Sequence, residues 1–391
     1  MRLCLARCEP AAGYVENPLF LDLTEVIMRT RLRHAAGPLA VLCMFAGAAL
    51  SQHYTQTNLV TNASDASLVN PWGMSRGSGT PWWVSDNATG VSTLYTGNGT
   101  KLGLTVKIPS AKPGQPSLPT GTIYNGSKTD FLLTAGTPAV FLFCTIDGLI
   151  VGWNPAVGAV AAVTMTDGSS YTGLTSARVG GKARLYAANF TKGRVDVFDS
   201  RFHRLSGEEA FDDEDLPPHF VPFNVQAIGD NVVVTYALHE DDNPFETDGP
   251  GLGYVDIFSP HGHKLQRLEH GDWLNAPWGL ALAPLDFGLY SHSLLIGQFA
   301  GGGTTQSSGY IAAYDLATGR FKGLLEDTSG NPIAINGVWG ISFGNTSPNN
   351  FDTAGAPSAE MYFAAGPNHG SGGVFGYLTA AATDLIEGNA Q

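Results

Sequence analysis

Cysteine is scarce in this chain. Of its four cysteines, Cys4, Cys8 and Cys43 fall before residue 52, which leaves only Cys144, in the apolar run AVFLFCT. That excludes a disulfide framework and a thiolate metal cluster. With no basic neighbour to activate it, Cys144 reads as a buried, inert thiol. Charge is thin as well: Asp, Glu, Lys and Arg together make up 14% of the residues, with 21 basic against 34 acidic. A nucleic-acid partner needs a stripe of Lys and Arg, and none is visible. Long apolar runs are missing too. The one candidate, residues 35–50, is too short and too rich in Gly, Ala and Pro for a stable membrane span. No H-E-x-x-H, phosphate loop or C-x-x-C is present, so these specific enzyme signatures give no lead.

What the chain has instead is glycine (49) and proline (23), scattered between short apolar runs rich in Val, Tyr, Phe and Trp. This balance favours many short strands joined by tight turns. From residue 69 onward one pattern recurs six times: an inner run, a second run ending in a polar turn, and a third run with alternating residues. The first copy is WGMSRG, PWWVSDNATG, VSTLYTG and the last is WGISFGN, EMYFAAGPNHGSGG, VFGYLTA. In RVDVFDS and YVDIFSP the alternation puts Val195, Val197, Val255 and Ile257 on one face and Asp196 and Asp256 on the other, as in half-buried strands. Repeated radially, such units make an all-β, six-bladed β-propeller in a single domain. The run HYTQTNLV (53–60) is expected to supply the outer strand of the last blade and close the ring. Trp72, Trp278 and Trp339, each followed by glycine, are expected to pack between blades, the glycine permitting close backbone approach.

The domain reading is a leader over 1–52, a propeller over 53–380 and a tail over 381–391. Residues 28–52 have the basic start, short apolar stretch and small residues of a secretory signal beginning at Met28, which points to a secreted or extracytoplasmic protein. Residues 1–27, with Glu16, Asp22 and Glu25, read as an upstream segment that is not translated in the cell.

The motifs LVNPWGM, WVSDNATGVSTLY, DGLIVGWNP, LYAANFTKGRVDVFDS, PFNVQAIG, GPGLGYVDIF, LNAPWGLALAP and VWGISFG carry a resemblance. Together they look like an uncharacterised family of exported proteins similar to six-bladed NHL-type β-propellers, over about residues 54–380. The resemblance implies the fold and brings no activity.

Function is expected on the face where the second-to-third-strand turns and the entries to the inner strands meet. Its candidate ligand-binding residues are Asn70, Asp86, Asp147, Asn189, Asn224, Asn275, Asn336 and Asn368, a polar mouth without lysine or arginine at these positions. Such a face suits a small molecule, a carbohydrate or a protein partner and repels anions. Asn70, Asn275 and Asn336 either supply oxygens there or cap turns. Two acidic runs, 207–217 and 239–249, are solvated connections or, for Asp241, Asp242 and Asp248, weak candidates for calcium. His261 and His263 form an HGH turn that reads as solvated. Six N-x-S/T sequons (Asn62, Asn87, Asn98, Asn125, Asn189, Asn345) suggest surface loops. The leading function is a binding platform. The alternative is a metal-dependent hydrolase or lactonase with its site at the channel mouth: six-bladed lactonases, similar in fold only, hold a divalent cation in the channel with Asn, Asp and Glu. Their inner strands open with asparagine, where this chain mostly has Trp-Gly and only Asn224 fits.

Overall fold

The computed structural model describes residues 53–206, 211–241, 243–299, 309–344 and 359–381. The leader, Asp242, Asn345 and the tail beyond 381 lie outside these residues. The described chain forms six antiparallel sheets, the blades of a propeller. Blade 1 holds Pro71–Ser75, Trp82–Asp86, Val91–Tyr95 and Lys101–Lys107; blade 2 holds Pro119–Tyr124, Phe141–Thr145, Leu149–Asn154 and Gly158–Thr164. Blade 3 has Tyr171–Val179, Lys182–Asn189 and Arg194–Asp199; blade 4 has Phe220–Ile228, Asn231–Leu238, Gly253–Phe258 and Lys264–Arg267. Blade 5 has Pro277–Leu282, Ser293–Gln298, Ile311–Asp315 and Phe321–Leu324; blade 6 has Val338–Phe343, Met361–Ala365 and Val374–Ala380. The outer strand of blade 6 is Tyr54–Thr61, which pairs antiparallel with Val374–Ala380 and closes the ring. Blade 3 is the short one. Its outer edge keeps a single bridge, Phe198 to Arg204, made by the bonds from Leu205 N–H to the Val197 carbonyl (2.8 Å) and from Asp199 N–H to the His203 carbonyl (2.9 Å).

The unbroken apolar runs follow from this geometry. Successive side chains on a strand point to opposite faces, and in a propeller both faces of a blade meet a neighbour. Thus Phe141 and Phe143 pack into the core between blades 1 and 2, while Leu142 and Cys144 enter the core between blades 2 and 3. Val232 and Val234 face blade 3 and Val233 faces blade 5. Each fully buried side chain of this kind contributes about 1.5–3 kcal/mol. The same geometry corrects one expectation. Asp196 and Asp256 do alternate with apolar neighbours, but their face is buried too. Asp196 accepts bonds from Arg194 Nε (2.8 Å), Asn189 Nδ2 (2.7 Å) and the Tyr171 hydroxyl (2.9 Å). Asp256 accepts a fork from Arg267, at 2.9 and 3.2 Å.

Six of the apolar clusters lie between successive blades; another lies on the axis. This axial cluster corrects the second expectation. Trp72, Trp278 and Trp339 are buried, at 7, 4 and 2% exposure, yet they do not sit between blades. They come from the inner strands of blades 1, 5 and 6 and meet one another and Phe223 of blade 4 in the channel. Trp72 stacks on Trp339 with ring centres 3.6 Å apart, and Trp278 meets Trp339 edge-on at 5.9 Å. Phe223 lies 6.5 Å from Trp72 and 5.8 Å from Trp339. On blades 2 and 3 the corresponding residues are Thr120 and Thr172, small enough to leave the axis to the rings.

The residue after each ring sets how closely the inner strands approach. A Cβ on Gly73 would stand 2.5 Å from the Thr120 carbonyl oxygen of blade 2, and one on Gly340 would stand 2.7 Å from the Trp72 carbonyl oxygen of blade 1. Gly121, Gly173 and Gly279 occupy the same level of their blades. Blade 4 alone carries a side chain there. Asn224 points Nδ2 at the Trp278 carbonyl of blade 5 (2.7 Å), so a hydrogen bond replaces backbone contact at that one junction.

Candidate functional site

The aromatic plug divides the channel into two mouths. The lower mouth, about 430 Å3, is formed where the inner strands end and is lined by Ser75, Thr122, Ser176, Gln226 and Ser342 beside Met74, Tyr124 and Phe343. Two pentapeptides here, GMSRG (73–77) and GISFG (340–344), match the G-x-S-x-G spacing of a nucleophile elbow. That motif needs a turn from strand into helix with a histidine within reach. Here Ser75 ends an inner strand and Ser342 is the last residue but one of another, Ser75 Oγ stands 3.4 Å from Thr122 Oγ1, and no histidine or carboxylate lines the mouth among the described residues. The spacing carries no catalytic arrangement.

The upper mouth is a cavity of about 380 Å3 where the inner strands begin. All six turns between second and third strands reach it, through Asn87, Ile146, Phe190, Phe245 and Glu246, Phe299, and His369. The entries to the inner strands add Asn70, Leu118 and Ser170, and the plug supplies the floor with Trp72, Phe223 and Trp339. Phe299 extends the ring stack: its centre lies 3.9 Å from that of Trp339, on a nearly parallel plane. The wall is therefore mainly apolar, with amides and one carboxylate at the rim.

Of the eight candidate residues, Asn70 lines this cavity. Its Oδ1 accepts the indole N–H of Trp339 (3.0 Å), and its Nδ2 donates to Asn87 Oδ1 (3.3 Å). For Asp86, Asp147, Asn189, Asn224 and Asn368 it is a chain neighbour that lines the cavity. Asp86 is fully buried and accepts from the Thr93 hydroxyl (2.7 Å) and amide (3.1 Å), while Asn87 lines the wall. Asp147 accepts from Ser110 Oγ (2.9 Å) and Ala111 N–H (2.7 Å), while Ile146 lines the wall. Asn189 is held by Ser169 and Asp196 beside Phe190, and Asn224 by Trp278 beside Phe223. Asn275 Oδ1 accepts from Gly249 N–H (2.8 Å) and Asn336 Oδ1 from Asn368 N–H (3.2 Å), so both brace turns on this face. Asn368 itself stands beside His369, with φ of 55°.

The amide oxygens of Asn70, Asn87, Asn189, Asn275 and Asn336 and one oxygen each of Asp86 and Asp147 are already engaged, so a cation recruiting them would have to displace these bonds. Among the described residues no three His, Cys, Asp or Glu side chains come close enough to share a metal ion. Asp241 is exposed, at 93% for its side chain, and stands 4.0 Å from His219. Asp248 is half-buried with one oxygen unpartnered, and burial pushes its carboxyl up to about 7. Glu246, which the sequence did not single out, is pushed up to about 7 by burial and by the neighbouring Asp248. Of the sequons, Asn62 and Asn98 are exposed, whereas Asn87 and Asn189 are buried and donate to Pro119 and Asp196. The HGH turn is a hairpin in which Ser259 N–H bonds the His263 carbonyl, and both histidines are exposed. Cys144 is buried against Thr120, and burial holds its thiol up at about 12, beyond ordinary reactivity. Among the described residues no helix is long and apolar enough to cross a membrane.

No protein-family model matches the chain. It is similar to two uncharacterized proteins of Acanthamoeba polyphaga mimivirus. With R648 it is 29% identical over 303 residues, 74% of this chain and 72% of the relative. With L690 it is 28% identical over 334 residues, 82% of this chain and 83% of the relative. Among solved structures, a glucose dehydrogenase matches 84% of this chain and 100% of its own with a TM-score of 0.51 at 10% identity. A protein of unknown function from Bacteroides thetaiotaomicron gives a TM-score of 0.50 at 10% identity, over 84% of this chain and 76% of its own. Likeness at that level shows the fold alone: the chain is an all-β, six-bladed propeller.

Proposed function

We propose that this chain is an exported propeller of the NHL type that acts as a binding platform and seats a small organic ligand in its upper mouth. The observation that carries this is the aromatic-floored cavity itself. Its volume is of the size that ligand sites use, and its mixture of apolar wall with a few convergent amides suits an organic molecule better than a hydrated ion. The six turns around it offer the rim to a larger partner. Export rests on residues 28–52 and would be checked by N-terminal sequencing of secreted protein, which should begin close to Ser51.

The test is a thermal-shift screen of small aromatic and alicyclic compounds against the wild type and Leu118→Trp. Leu118 is half-buried at the cavity wall, so an indole there fills space without disturbing the plug. Compounds seated in the mouth should raise the melting temperature of the wild type by mass action and leave the variant unmoved. Shifts that persist in Leu118→Trp would place binding elsewhere and overturn the reading.

A further inference from the structure

We infer that the upper mouth selects organic ammonium ions: ligands with an apolar or aromatic body and one positive charge. The inference rests on the upper mouth being a ligand seat and adds the charge of what it takes. Three features of the wall carry it. Trp72, Phe223, Phe299 and Trp339 give an apolar bed that holds a hydrocarbon body. Glu246 stands at the edge of that bed, and no lysine or arginine lines the cavity among the described residues. Glu246 has no ion-pair partner there either, and its nearest charged neighbour in the chain is Asp248, which repels it.

A carboxylate in such a place is destabilised by lost hydration and gains most from a cation brought by a ligand. The aromatic rings favour the same sign, since an ammonium over a ring face is attracted by the ring quadrupole. An anion meets the opposite conditions: repulsion from Glu246 and, among the described residues, no lysine or arginine in the lining to receive it. Glu240, Asp241 and Asp248 lie on the same strap as Glu246 and extend the negative field outward, which steers cations toward the mouth. Burial pushes Glu246 up to about 7, so the carboxylate is ionised at pH 8, where the test is best run.

Three probes of nearly equal shape separate the possibilities: 2-phenylethylamine, 2-phenylethanol and 3-phenylpropanoate, titrated at pH 8 against the fluorescence of the two indoles in the wall. The amine should bind at least tenfold tighter than the alcohol, and the acid weakest of all. In Glu246→Gln, checked for a cooperative melting transition that shows it is folded at pH 8, the ratio of amine to alcohol affinity should fall close to one. Equal affinities for amine and alcohol in the wild type, or tightest binding of the acid, would overturn the inference while leaving the mouth as a ligand seat, provided that Leu118→Trp abolishes the signal. An amine preference that survives Glu246→Gln would overturn it as well, because the selecting charge would lie elsewhere. No response to any of the three at millimolar concentration would remove both the ammonium inference and the ligand seat.

Discussion

The three plug tryptophans are each followed by glycine but differ in the partners of their indole N–H groups. Trp278 donates its indole N–H to the Thr172 carbonyl across the axis (3.1 Å), and Trp339 donates to Asn70, whereas Trp72 Nε1 finds no acceptor among the described residues. Trp278→Phe would leave the buried Thr172 carbonyl without its donor, and Trp72→Phe would orphan nothing. Both variants lose similar ring volume, so the difference isolates the hydrogen bond. Trp278→Phe should be less stable than Trp72→Phe by about 1–2 kcal/mol in urea unfolding, the usual cost of stranding a buried acceptor. This distinction was not legible in the sequence, where N-P-W-G and A-P-W-G read alike. At four places the sequence named the chain neighbour of a residue that lines the upper cavity: Asp86 for Asn87, Asp147 for Ile146, Asn189 for Phe190, Asn224 for Phe223. The physical reason is the strand's two-residue period together with the needs of a turn. A polar side chain beside a buried turn is drawn inward to satisfy backbone donors, and this leaves its apolar neighbour facing the channel. Choosing polar residues as ligand candidates therefore named one residue of the cavity wall, Asn70, and several that brace it.

At the scale of single elements, the blades themselves were plain in the sequence because each second strand is apolar on both faces and each turn is marked by Asn, Asp or Gly. The outer strands of blades 3 to 5 were the weak part: Lys264–Arg267 and Phe321–Leu324 span four residues each, and blade 3 has only a bridge in that place. The strap between the second and third strands of blade 4 is the element with the most unusual chemistry. Glu246 and Asp248 both titrate near 7 in the folded chain, against about 4 in an unfolded one. Between those values the folded chain holds protons that the unfolded chain has released. The pair thus stabilises the fold at pH 5, and that contribution is lost as pH rises through about 7. Melting temperatures of the wild type and of the Glu246→Gln, Asp248→Asn double variant, measured from pH 5 to pH 8, should diverge, the wild type losing stability relative to the variant as pH rises. Parallel curves would mean that the strap is better hydrated than its burial implies.

The whole molecule depends on six inner strands meeting at one level. Gly340→Ala places a methyl group against backbone atoms of blade 1, which cannot rotate aside, so the ring has to open slightly at that junction. A cost of about 1–3 kcal/mol is expected, typical of overpacking. Gly103→Ala, on an outer strand with nothing within 4 Å, should change stability by less than about 0.5 kcal/mol. Equal effects at the two sites would mean that the blades are not held at contact distance. The strand pair that closes the ring has a further property. Tyr54 lies opposite Ala380 and Thr61 opposite Val374, so the chain enters and leaves this pair at the same end. A pull applied at His53 and Ala381 loads the ladder one rung at a time, like opening a zipper, and does not shear all its bonds together. Single-molecule stretching between those two points should therefore show a first yield at low force, with Tyr54–Thr61 peeling away while blades 1 to 5 still stand. Stretching between points within blades 2 and 4 should meet far greater resistance. On this reasoning the clasp that removes a free edge from a propeller at rest should be the first seam to yield under load.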